Sequence, residues 1–203
     1  MSLPFDAARM LRTASDRTST SMKFTSRVFG NAWDGFVEEW APIILSFVEE
    51  ALGPYGTRPL PTILKLSEGM HAAMATASFS LATGQVHLSD STVGKPGQIL
   101  EKLTHEFVHG SLAQFPEGDP FYEEGEVDYT TWCLAHAPVW KNHRESMIAA
   151  AELNIRLRRE RAFTTGTDYD RKRWAGGMHA MMAYGPLIIG RLRNKKLAGD
   201  FTW

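Results

Sequence analysis

Hydrophobic positions along the chain recur at two spacings, and the change between them divides it. From Trp33 to Leu52 the apolar residues fall at Trp33, Phe36, Val37, Trp40, Ile44, Phe47, Val48 and Ala51, the spacing of a helix with one buried face. Pro42 is expected to kink or restart this helix, and Gly53-Pro54 to stop it. Its place is expected to be behind a sheet. Between Arg58 and Ser91 the period shortens to alternation: Leu60–Leu66, Thr76–Leu81 and Gln85–Ser89 read as strands, the last two joined through Ala82-Thr83-Gly84 as a hairpin. Val86 and Leu88 then share one face and His87 takes the other. Helical spacing returns from Gln98 to Phe115, with Ile99, Leu100, Leu103 and Phe107 in one stripe and Val108, Leu112 and Phe115 in a second, so this helix belongs inside a domain. Pro116 to Pro120 breaks it; a second helix runs from Phe121 to Ala137, a long one from Val139 to Ala162, and a last segment from Thr164 to Arg193. The pattern predicts an α+β fold, a small mixed or antiparallel sheet with a mostly helical C-terminal half.

Composition narrows the classes. Residues 1–30, rich in Ser, Thr and Arg and poor in acids, read as an N-terminal arm, with an Arg-rich transit segment as the alternative, and 31–203 as a single domain. A net charge of −1 with 22% charged residues gives no broad attraction to nucleic acid or membranes. The basic run Arg156–Arg161 is expected to be a solvated helix end that complements the dipole. Cys133 is the lone cysteine, which excludes an internal disulfide and a cysteine-based zinc site. No apolar run reaches the roughly eighteen residues a membrane helix needs, and no signal peptide is visible, so the expected location is cytoplasmic, with export by a non-classical route as the alternative.

The candidate chemistry lies between Glu101 and Tyr129. His105-Glu106-Phe107-Val108-His109 is H-E-x-x-H, which on a helix aims two imidazoles at one point with the intervening Glu as general base. A catalytic zinc takes three protein ligands and leaves a position for water. Glu124, on the helix after the Pro-rich break, is the candidate third ligand, with Glu123 and Glu126 as alternatives beside it. Asp128 lies one turn further on the same face, placed to support a ligand histidine through its outer nitrogen.

H-E-x-x-H followed by Glu124-Gly125-x-x-Asp128-Tyr129 resembles the gluzincins, the zinc peptidases that include thermolysin and many aminopeptidases. The resemblance covers about thirty residues and implies a minimal zincin-like domain in which His105, His109 and Glu124 hold Zn²⁺, Glu106 is the base and Asp128 the supporting acid. It also implies that the strand Gln85-Val86-His87 edges the cleft and binds extended substrate backbone by strand addition. Relatives place a Tyr or His from a C-terminal helix over the metal, and the candidates here are Tyr169, His179 and Tyr184. The aminopeptidase pattern of Tyr followed by Gly-Ala is not matched; Trp174 stands near where that Tyr would fall.

The implied activity is zinc-dependent hydrolysis of a peptide or protein substrate, with no nucleic-acid or membrane partner. Two other functions suit the same residues. A two-His, one-carboxylate set also serves non-haem iron(II), which makes an oxygen-dependent peptide hydroxylase the rival enzyme. A non-catalytic, zincin-like peptide-binding module is the third, although a structural metal site has no need of Glu106.

Overall fold

A computed structural model of the chain describes residues 31–52, 62–65, 77–80, 85–88, 94–112, 119–164, 166–183 and 185–194. The expected arm and Tyr184 lie outside these residues. The described residues fall into two compact units, one within 6–114 and one within 115–203.

The first unit is built on two helices. Helix α1 (Asn31–Leu52) runs through Pro42 without a restart, although proline there removes one backbone donor. Of the apolar stripe of the sequence, Val37, Trp40, Ile44, Phe47, Val48 and Ala51 are buried and Phe36 is half-buried; Ala41, Ile43 and Leu45, outside the stripe, are buried as well. Helix α2 (Pro96–Leu112) opens on a proline, which suits a first turn whose N–H groups have no intrahelical partner. The two helices pack against each other, and Ile99, Leu100, Leu103, Phe107 and Val108 of α2 are each at most 1% exposed. The main neighbour of α1 is thus a helix and not the expected sheet.

The expected α+β fold is overturned. Most of the described residues are helical. Among the described residues, extended pairing is confined to three pieces of four residues each: β1 (Thr62–Lys65), β2 (Ala77–Ser80) and β3 (Gln85–Leu88). They pair in the order β1-β3-β2, β1 parallel and β2 antiparallel to β3. Alternation over four residues turns only two side chains to one face, here Val86 and Leu88 on β3, both fully buried. Pieces so short cannot form a layer that covers a helix. Of the largest fully buried side chains described, Leu88 alone comes from a strand; the others, among them Phe47, Phe107 and Trp140, come from helical segments.

Among its described residues the second unit has helices and short connections and no strand. Asp119 caps α3 (Pro120–Ala135): its Oδ1 accepts from the Phe121 N–H at 3.0 Å, and Pro120 takes the first helical position. A 3₁₀ turn (Pro138–His143) follows, then α4 (Arg144–Thr164), α5 (Asp168–Ala183) and α6 (Gly185–Asn194). The single helix expected from Val139 to Ala162 is broken at Lys141, whose backbone sits at φ 50°, ψ −122°. The fully buried Trp140 anchors that break, its indole N–H donating to the Leu134 carbonyl at 2.8 Å. Helix α5 starts at a Thr167 cap, where Oγ1 accepts from the Asp170 N–H at 3.1 Å.

Helices α3 and α5 meet backbone to backbone. A Cβ added to Gly125 would lie 1.7 Å from the Arg173 carbonyl oxygen, and one on Gly176 would lie 1.9 Å from that of Tyr122. Glycine at both positions is a steric requirement of this crossing. No described helix is long and apolar enough to cross a membrane.

Candidate functional site

The H-E-x-x-H residues occupy the C-terminal half of α2, where the sequence places them. The rings of His105 and His109 lie 4.9 Å apart, centre to centre, in an edge-on arrangement at 74°. Helical geometry alone produces this, because residues four apart stand one turn above each other. Exposure is 4% at His105, 3% at Glu106 and 9% at His109, with Phe107 and Val108 fully buried among them. Three ionisable side chains within five residues are thus withdrawn from water on an otherwise apolar helix. That placement is costly unless each finds a partner.

In the second unit two acidic residues of α3, Glu124 and Asp128, gather around one arginine. Arg173 of α5, 6% exposed, sends Nε to Asp128 Oδ2 at 2.6 Å and Nη2 to Asp128 Oδ1 at 2.8 Å, a two-pronged charged pair. Its Nη1 lies 2.8 Å from Glu124 Oε2 and also donates to the Tyr169 hydroxyl. Burial works against the guanidinium charge, but Asp128, then Glu124, outweigh it and hold Arg173 above the ordinary arginine range. Asp128 accepts a further hydrogen bond from Asn154 Nδ2 at 2.8 Å. Arg158 of α4 reaches the same carboxylate only at 3.6 Å. Burial, and then the neighbouring charge of Arg173, lower the Arg158 pKa.

The remaining expected residues divide as follows. Glu126, an alternative ligand, lies 3.1 Å from His179 Nδ1, and that imidazole lies 5.6 Å from the Tyr122 ring. Tyr169 belongs to the Arg173 cluster, with Phe121 edge-on to its ring at 5.1 Å. Cys133 is core, its thiol pushed by burial up to about 12.

One expected role fails on topology. Gln85-Val86-His87 cannot bind substrate by strand addition, because β3 is the middle strand and both its edges are paired, to β1 and to β2. Val86 is also fully buried. Alternation finds a strand but does not say whether it lies at an edge.

Arg173, Arg158 and Asn154 were missed by the sequence reading. Arg158 sits inside the Arg156–Arg161 run expected to be solvated, yet it turns inward. A carboxylate on a packed helix face needs an opposite charge, so Asp128 was the available signal, but nothing local says which arginine supplies it. The chain matches no family model, no curated protein and no solved structure.

Proposed function

We propose that the protein is a zinc-dependent peptide hydrolase, with His105, His109 and Glu124 as the metal-holding set and Glu106 as its general base. The observation that carries this reading is the buried H-E-x-x-H face: two imidazoles one helical turn apart, with a carboxylate between them, in apolar surroundings. Two imidazole nitrogens and one carboxylate oxygen, one ligand atom from each of the three residues, are a donor set of the kind catalytic zinc takes. A bound zinc supplies Lewis acidity and lowers the pKa of water from about 15.7 to about 7.

The chain's own residues would do the rest. Glu106 takes the proton of the attacking water on a carboxylate oxygen and delivers it to the leaving amine, work worth on the order of 10²–10⁴ in rate. Its burial excludes competing water from that carboxylate. Asp128 and Arg173 position α3, and so Glu124, through their paired hydrogen bonds. Tyr169 and His179 are the described candidates for holding the developing oxyanion. The substrate is a peptide or protein, and the location is cytoplasmic.

The test measures metal content and peptide-library cleavage together. Glu106→Gln is expected to retain zinc and lose turnover by at least about 10²-fold. His105→Ala is expected to lose both. Undiminished cleavage by Glu106→Gln refutes the role of the base, and iron in place of zinc with an oxygen requirement refutes hydrolysis.

A further inference from the structure

Helix α4 carries apolar residues on both of its sides. Inward it turns Met147, Ala151 and Ala162, all buried. Positions four apart share one side of a helix, and on the outward side these are Ala149, Leu153 and Leu157, all exposed. Leu153 is 37% exposed and Leu157 38%, and Phe163 near the helix end is 74% exposed. A single surface leucine needs no explanation, whereas a stripe along the solvent side of a helix marks a contact surface.

The charges beside that stripe are divided along the helix. In the first half the exposed charged residues are Glu145 and Glu152; Arg144 is half-buried and donates to the His136 carbonyl at 3.1 Å. In the second half they are Arg156, Arg159 and Arg161, with one acid, Glu160. The outer face therefore runs from acidic to basic, with the leucines between. Such a face is complementary to itself when reversed. A second copy laid antiparallel, centred between Leu153 and Leu157, sets each leucine level with its counterpart. Glu152 of each copy then stands level with Arg156 and Arg159 of the other. A two-fold axis makes both ends of the contact equivalent. Parallel pairing would bring like charges together, which is costly.

We propose that α4 is the face through which two copies of this chain associate, antiparallel, about a two-fold axis between Leu153 and Leu157. The surface lies within one unit, and the inference does not rest on the proposed hydrolysis. One helix stripe is narrower than a standard interface of about 800 Å² per partner, so the dimer is weak and reversible, with a Kd of about 10–100 µM.

Sedimentation equilibrium of the full chain, from about 10 µM to about 1 mM, tests this. The average mass is expected to rise from that of one chain toward that of two. Leu153→Asp combined with Leu157→Asp should leave a monomer throughout, and thermal unfolding confirms that the variant is folded. Glu152→Arg should weaken association at least about threefold, and adding Arg156→Glu and Arg159→Glu should restore it. Should the paired aspartates prevent folding, this charge series carries the test. Orientation is read from cysteine variants, Cys133 being buried. Leu153→Cys mixed with Leu157→Cys should form the disulfide between the two variants faster than within either. A chain still monomeric at about 1 mM overturns the proposal and leaves the stripe to a different protein. A dimer untouched by the paired aspartates, a charge reversal without effect, or faster disulfide formation within one variant each overturns it as well.

Discussion

The two helices that carry the candidate ligands are held in different ways. Helix α2 presents His105, Glu106 and His109 through its own periodicity: the spacing aligns the rings, and the stripe from Ile99 to Phe107 is buried. Helix α3 presents Glu124 and Asp128 through partners distant in sequence. Arg173 binds both carboxylates, and Gly125 lets α5 approach closely enough for it to do so. A pair of groups on one helix is placed by helical geometry. A group whose neighbours lie on other helices depends on sterics and charge being satisfied together.

That contrast can be broken most severely at Arg173. Arg173→Met leaves the buried Asp128 without its main counter-charge and should destabilise the second unit by about 3–5 kcal/mol. Arg173→Lys should recover only part of this, because an ammonium cannot make the two-pronged contact. Chemical unfolding followed by circular dichroism measures both; a loss under 1 kcal/mol for Arg173→Met would show that α3 does not depend on this cluster.

The glycine crossing comes next. Gly125→Ala places a methyl 1.7 Å from a backbone oxygen, which flexible side-chain movement cannot relieve. The helices must separate, at about 1–3 kcal/mol or more. Gly35 of α1 has nothing within 4 Å of an added Cβ, so Gly35→Ala should be neutral or slightly stabilising and serves as the control. Equal stability of the two variants would refute the close approach.

The smallest effect concerns the start of α3. Asp119 has its pKa lowered below 3.8, first by the Lys172 ammonium 2.7 Å away and then by the Phe121 N–H it caps. A depressed folded-state pKa means that the contribution is fully present above 3.8 and is lost as the pH falls through the lower, folded-state value. Asp119→Asn should therefore melt slightly lower than the native chain at pH 6, with the gap closing in strong acid. A gap that persists unchanged to pH 2 would assign the difference to the cap hydrogen bond alone.

Local patterns carried far in this chain. The stripe of α1, the buried face of α2, the paired histidines and the break ending in the Asp119 cap all follow from residues within a turn or two of one another. The strand segments were visible too, but their weight was not: alternation cannot show that pieces of four residues will cover nothing, or that β3 lies between two others. Lys141, broken out of the helical conformation, belongs to a residue type with no preference for positive φ, so nothing in its neighbourhood announces it.

The sequence by itself determined which residues line up along each helix, because helical periodicity is a property of consecutive positions, and with it the H-E-x-x-H face on which the proposed chemistry rests. Only tertiary structure decided that Arg173 answers Asp128 from 45 positions away, that Arg158 turns inward from a run of solvated arginines, and that two glycines set the approach of α3 and α5. Charge compensation and backbone contact depend on distance in space, and distance along the chain does not determine that.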